Sequence, residues 1–247
     1  MKAILLAAGH GSRLLPLTLT APKCLVPVGG RAILDHQLDA CAAAGIEQAV
    51  VVGGYRIEQV AEHLAARAQA QSGGLATSLI FNPFWAAASS IGSVWAAREF
   101  LRGPFALMNG DTLFDPAIVA HAVADQRRGV RLVVERLVQA EEDDMLAEVA
   151  PASDGARVRG VGKDMAAERA THRSLGLILS AGGGAYADAL RAVIGADGGI
   201  QAFHHAVVDR LASVDACGAV EVPTGAHWQE IDRPEDIARW REDHRTA

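Results

Sequence analysis

The sequence predicts an α/β fold, a mostly parallel sheet with helices on both faces. Two observations predict it. Short apolar runs rich in β-branched residues alternate with amphipathic segments of helical spacing through the first half of the chain, and that alternation builds parallel strands joined by crossover helices. The first apolar run also ends abruptly in a glycine-rich loop, as buried strands of such sheets do at their carboxyl ends.

In chain order, residues 3–6 read as a buried first strand leading into Gly9-His10-Gly11-Ser12-Arg13. Residues 32–44 carry Ile33, Leu34, Leu38 and Cys41 at helical spacing and stop at Gly45. Residues 49–52 are a second strand ending in Gly53-Gly54, and 57–68 a helix through Ile57, Val60, Ala61 and Leu64. Residues 77–81 give a third strand before an Asn82-Pro83 turn. Ser89 or Ser90 can cap a helix carrying Ile91, Val94, Trp95 and Leu101 on one side. Residues 105–108 are a fourth buried strand running into Asn109-Gly110-Asp111.

The second half is less regular. It offers a strand at 129–135, an acidic surface run at 141–144 and several short strands within 147–179 around Lys163. Helical stretches follow at 185–194 and 200–213, then a strand at 219–222. In the closing HWQEIDRPEDIARW, Pro234 suits the first turn of a last helix. With no internal repeat and no linker, the reading is one Rossmann-like domain over 1–247 with an elaborated C-terminal half.

Composition narrows the function. At 247 residues, half of them hydrophobic, the chain can bury a substantial core, and no apolar run is long enough to span a bilayer. The N-terminus has one lysine and a short apolar run but no convincing cleavage site, so it reads as a mature strand. Cys24, Cys41 and Cys217, odd in number and widely spaced, fit neither a disulfide framework nor a zinc site and suggest a reducing cytoplasm. A net charge of −6 without a concentrated basic face argues against nucleic acid as partner. No membrane partner is expected; a homo-oligomer is left open.

The glycine loop lacks the Gly-Lys-Ser/Thr of a P-loop and the third glycine of the dinucleotide fingerprint. It is either an ordinary tight turn or, with Arg13 and Lys23, a place where backbone amides and fixed positive charge meet phosphate. Asp111 is either part of a turn or well placed to hold a hard cation such as Mg²⁺. Asp232 is either an N-cap or a second acid, and Glu230 would point the same way along a strand. Lys163 is a solvated loop lysine or an anion contact. Phe84, Trp85, Trp95, Tyr186 and Trp228 are the aromatic residues for a quaternary-ammonium box, with core packing the alternative; Trp228, two residues before Glu230, comes first among them. The nine histidines are scattered, and no Ser/His/Asp or Cys/His nucleophile arrangement is evident.

The pattern LAAGxGSRL…PKCLVPVGGRAIL resembles the opening signature of nucleotidyltransferases that activate phosphorylated metabolites with a nucleoside triphosphate. The resemblance implies that Leu6, Ala7, Ala8, Gly9, His10, Gly11 and Ser12 wrap the triphosphate, with Gly54, Ser90 and Asn109 completing the nucleotide site. It implies catalytic charge contacts from Arg13 and Lys23, and Mg²⁺ held by Asp111, Asp232 and Glu230. Lys163 matches a lysine placed near the acceptor phosphate, and Trp228 and Glu230 join it on the acceptor side. Residues 1–115 would then bind nucleotide and 116–247 the acceptor. The stretch NPFWAAASSIGSVW is similar to that of cytidylyltransferases acting on phosphocholine or 2-aminoethylphosphonate, with Ser89-Ser90 for paired asparagines and Val94 for leucine. The expected reaction is transfer from CTP to such an acceptor with release of pyrophosphate. The alternatives are a sugar- or polyol-phosphate enzyme, inositol phosphate included, using another nucleotide, and a non-catalytic nucleotide-binding regulator.

Overall fold

The computed structural model describes residues 1–70, 74–125 and 127–243. The first half runs β1 (Lys2–Ala7), β2 (Pro27–Val28), β3 (Arg31–Ala32), α1 (Ile33–Ala43), β4 (Gln48–Gly53), α2 (Ile57–Ala70), β5 (Ala76–Phe81), α3 (Ser90–Ala96), β6 (Phe105–Asn109), β7 (Thr112–Phe114) and α4 (Pro116–Ala124). The second half continues β8 (Val130–Arg136), β9 (Leu146–Ala152), β10 (Gly155–Gly162), β11 (His172–Ser180), α5 (Ala185–Ile194), α6 (His205–Ala212), β12 (Cys217–Glu221), β13 (Trp228–Glu230) and α7 (Pro234–Asp243).

Nine strands form the central sheet in the order β5-β4-β1-β6-β11-β8-β12-β10-β9. Its first-half strands, β5, β4, β1 and β6, are all parallel. Antiparallel pairing begins where β11 joins β6 and governs the second half, apart from the parallel pair β8 and β12. Alternation along the buried strands divides the core. Ile4, Val50, Leu107, Leu132 and Ile178 face α3, α5 and α6. Leu5, Val51, Met108, Val133 and Leu179 face α1, α2 and α4. All three cysteines are free and buried, and burial pushes each thiol up to about 12.

A third, smaller core positions the site. Leu14, Val26, Val28, Ile33, Leu113, Ile231 and Ile237 pack together beneath the glycine loop. The ribbon β7–β13, antiparallel with Glu230 opposite Thr112, brings the end of the chain against the exit of β6. Asp236 accepts the N–H groups of Asp232 (2.8 Å) and Arg233 (2.7 Å), so it caps α7.

Several sequence expectations are corrected. α3 ends at Ala96, and Leu101 is buried beyond a 3₁₀ turn. In place of a helix over 200–213, a 3₁₀ turn at Gly199–Gln201 precedes α6. Its backbone partners lie elsewhere: Ile200 O accepts from Ser89 N (3.1 Å), and Ser90 Oγ from His204 N (3.0 Å). Residues 147–179 hold three long strands, not many short ones. β13 stops at Glu230, so Asp232 lies past the strand end.

Candidate active site

The carboxyl ends of β1 and β6 frame a pocket of about 260 Å³. Tight backbone contact builds its floor. A Cβ on Gly110 would lie 2.1 Å from Leu6 O, so the chain leaving β6 can cross the end of β1 only as glycine. Gly11 (φ +73) lies against the Lys23 stem, where a Cβ would be 2.8 Å from Lys23 Cβ. Gly11 O accepts from Thr18 Oγ1 (2.9 Å) and Ala8 O from Tyr55 N (3.0 Å), which fastens the loop at both ends.

The predicted charged residues meet in one alternating chain. Lys23 Nζ donates to Asp111 Oδ2 (2.7 Å) and to Asp232 Oδ1. Arg13 reaches Asp232 Oδ2 (2.8 Å) and Asp143 Oδ2 (3.0 Å), and Asp143 continues to Lys163 (3.5 Å). Burial opposes the Lys23 charge, but Asp111 and Asp232 outweigh it and raise its pKa. Burial likewise opposes the Asp111 carboxylate, and Lys23 and Arg13 hold it below the ordinary range. Glu230 is different. Burial, with Asp111 and Asp232 nearby, pushes it up to about 8, so at neutral pH it stands as the neutral acid. Its Oε1 lies 3.5 Å from Asn109 Nδ2.

The donor set fits a magnesium ion shared with phosphates. Asp111 Oδ1 is buried with no hydrogen-bond partner among the described residues, and Mg²⁺ is commonly held by one or two carboxylates plus substrate phosphates. No three His, Cys, Asp or Glu side chains among the described residues gather tightly enough to make a metal cage by themselves. Asp111 and Asp232, the two acids already gathered on Lys23, are the candidate pair, with Glu230 beside them at the pocket wall.

Of the other predicted residues, Leu6, Ala8, Gly9, Ser90, Asn109 and Lys163 line the pocket. Ala7, Gly11, Ser12 and Lys23 lie behind its lining, and His10 turns away to meet the Tyr55 ring edge-on at 4.4 Å. Gly54 is a packing residue: a Cβ there would lie 2.5 Å from Trp85 Cβ and 2.8 Å from Ala8 O. Trp228 is not brought to this pocket. Its ring carries the Arg173 guanidinium at 5.0 Å and packs on the α1 side of the sheet. No five-aromatic box assembles, since the pocket wall takes only Trp85 from that group. Trp228→Ala should accordingly cost about 2 kcal/mol in urea unfolding, with equal relative effects on phosphocholine and 2-aminoethylphosphonate turnover; selective loss of one acceptor would put Trp228 back at the site.

Sequence reasoning missed Asp143, read as part of a solvated acidic run, and the pair His204-His205. Both histidines are nearly inaccessible, 2% and 4% exposed, yet they line the pocket. Ser90 Oγ accepts His204 N–H (3.0 Å) and lies 3.0 Å from His204 Nδ1. Ser174 Oγ likewise accepts Gly176 N–H (3.1 Å) and lies 2.9 Å from His205 Nε2. The other ring nitrogens, His204 Nε2 and His205 Nδ1, have no hydrogen-bond partner among the described residues. The only sequence sign was the doublet itself at a helix start.

Burial lowers the His204 pKa to about 4 and that of His205 well below its ordinary value. The unfolded chain binds these protons near pH 6.5 and the folded chain does not, so stability falls as pH drops from about 6.5 towards 4. The expected slope from His204 alone is about 1.4 kcal/mol per pH unit. Urea unfolding between pH 7 and 5 measures it, and His204→Gln should flatten it; a pH-independent wild type would refute a neutral buried pair.

A Rossmann-like sheet with a glycine loop, two lysines, an arginine and paired acids at its strand ends defines a nucleotide-handling transferase site. The chain belongs to the nucleotidyl transferase family, whose model matches residues 2–143. Among its relatives, CMP-5'-(3-aminopropyl)phosphonate synthase of Streptomyces rubellomurinus is 35% identical over 156 residues, covering 60% of this chain and 24% of that protein. CTP:phosphoglutamine cytidylyltransferase of Campylobacter jejuni is 53% identical over 55 residues, 22% of each chain. The chain thus spans less than a third of the length of these curated relatives. The solved structure of CTP:phosphocholine cytidylyltransferase from Streptococcus pneumoniae matches 98% of both chains with TM-score 0.77 at 21% identity, a likeness of fold. Among the described residues, no helix is long and apolar enough to cross a membrane.

Proposed function

We propose that this protein transfers a cytidylyl group from CTP to a small phosphorylated or phosphonylated acceptor of the amino-alcohol or aminophosphonate class, releasing pyrophosphate. The observation that carries the reading is the alternating chain Lys163–Asp143–Arg13–Asp232–Lys23–Asp111. Three cations and three carboxylates neutralise one another in the nucleotide-free protein. A triphosphate draws Arg13 and Lys23 to its oxygens, which frees Asp111 and Asp232 to hold a cation; anion and metal therefore enter as a set. The names of the two curated relatives support a cytidylyl donor and a phosphonate or phosphate acceptor.

In the transfer, an oxygen of the acceptor's phosphate or phosphonate attacks the α-phosphorus of CTP. A new phosphorus–oxygen bond forms as the bond to pyrophosphate breaks, and no protein nucleophile intervenes. Arg13 and Lys23 stabilise charge building on the leaving pyrophosphate. Lys163, at the opposite end of the charge chain, draws the acceptor's anion towards the same centre. Asp111 and Asp232 are the residues that would hold Mg²⁺, which when bound supplies further charge neutralisation and alignment of the phosphates.

Pyrophosphate release across four nucleoside triphosphates, with phosphocholine, 2-aminoethylphosphonate, inositol phosphate and sugar phosphates as acceptors, tests the reading. CTP with phosphocholine or an aminophosphonate should be preferred. Turnover confined to another nucleotide and a sugar phosphate would replace it, and nucleotide binding without pyrophosphate release would make the chain a regulator.

A further inference from the structure

We propose that the opposite end of the sheet carries a second site, which binds a small phosphate-type oxyanion. The strand directions place it. β8 is antiparallel to β11, as is β6, so the Val130 end of β8 lies at the far edge of the sheet from Asn109 and Asp111. There, at the starts of β8 and β12, a cavity of about 530 Å³ is lined by Arg127, Arg128, Arg131 and Arg157.

The local carboxylates are already engaged. Arg127 is paired with Asp125 at 2.5 Å and Arg157 with Asp154 at 2.6 Å, while Asp215 is bound by Arg159 at 2.8 Å. Arg128 makes no ion pair among the described residues. The carboxylate nearest Arg131 is the same Asp125, 4.0 Å away. Two guanidinium charges in one cavity therefore lack a close counter-ion.

Arg131 carries the inference. Its side chain is 2% exposed, and both Nε and Nη1 are buried without a hydrogen-bond partner. Open donors on a buried guanidinium are costly, and burial pulls its pKa down, but arginine does not relieve the cost by losing its proton. The surrounding strands are shaped around the arginines. A Cβ on Gly218 would lie 3.3 Å from Arg131 Cγ and 3.8 Å from Arg157 Nη1, and one on Gly155 would lie 2.2 Å from Arg127 Nη1.

Guanidinium forks match the oxygens of a phosphate group bidentately and with little loss of freedom. The arginine with unmet donors is the most buried one and shares the cavity wall with Arg128, a setting suited to a small ion and poorly placed for the flat surface of an acidic macromolecule. Inorganic phosphate and pyrophosphate are the probes for this class.

Thermal unfolding of the full chain in phosphate-free buffer, then with millimolar phosphate or pyrophosphate at matched ionic strength, tests the site. The unfolding midpoint should rise with either anion in the wild type and in Asp111→Asn, which alters only the first pocket. The rise under inorganic phosphate should be lost in Arg131→Met and at least halved in Arg128→Ser. Without phosphate, Arg131→Met should be as stable as the wild type or more so, because it removes unmet donors. Should Arg131→Met fail to fold, Arg131 is structural and the proposal falls unless Arg128→Ser alone halves the rise. Equal rises in wild type and both variants, or no rise in the wild type, overturn it.

Discussion

Asp111→Asn will lower pyrophosphate release by about three orders of magnitude, with little change in the unfolding midpoint. The size follows from removing a preorganised charge contact at a reacting centre, typically 10²–10³-fold or somewhat more. The fold should survive because Lys23 keeps Asp232, its second partner, and asparagine preserves the shape at the end of β6. Oδ1 of Asp111 is buried with no partner among the described residues, and Oδ2 is bound by Lys23, so the substitution costs the protein one ion pair of a lysine that has a second. Steady-state turnover with saturating CTP and Mg²⁺ decides the matter. Activity within tenfold of the wild type would remove Asp111 from the reaction.

Lys23→Met should act on rate and stability together. Loss of its ammonium removes a charge that would face the triphosphate, with a rate loss again of about 10³. In the nucleotide-free protein it also leaves Asp111 and Asp232 without the cation between them, at a cost of about 3 kcal/mol, the scale for breaking a buried ion pair from one side. These two carboxylates should then take Mg²⁺ directly. Added Mg²⁺ is therefore expected to raise the unfolding midpoint of Lys23→Met more than that of the wild type. A variant indifferent to Mg²⁺ would show that the acid pair does not hold the ion.

The first half of the fold was legible because its signals are local. The second strand, expected over 49–52, is Gln48–Gly53, and the helix expected over 32–44 is Ile33–Ala43. Each is a short apolar stretch with its own stop signal. The segment 200–213 misled because the hydrogen bonds that break its helix come from Ser89 and Ser90, over a hundred residues away. The third core, joining Leu14 and Val28 to Ile231 and Ile237, has no periodic trace for the same reason. Within the site, Arg13, Lys23 and Asp111 stood out because charge beside a glycine turn or strand end is unusual, and Asp232, which alone reads as an N-cap, through the family resemblance. Asp143 did not, since an acidic run of four reads as solvent-facing. Trp228 was judged by its closeness in sequence to Glu230, but its ring is occupied by Arg173, a partner that sequence distance hides.

The β7–β13 ribbon has a consequence for the order in which the molecule is made. Asp232 follows Lys23 by 209 residues, and it reaches the pocket only when the last strand pairs with β7. At ~5–20 residues per second of synthesis, β6 and β7 leave the ribosome on the order of ten seconds before β13. All nine strands of the central sheet precede residue 228. A nascent chain halted there would carry the glycine loop, Lys23 and Asp111 but lack the second acid, and the third core would be without Ile231 and Ile237. Translation thus withholds the complete charge chain until the framework that aligns it already exists, and a chain stopped between β12 and Asp232 would have its main sheet and no working centre.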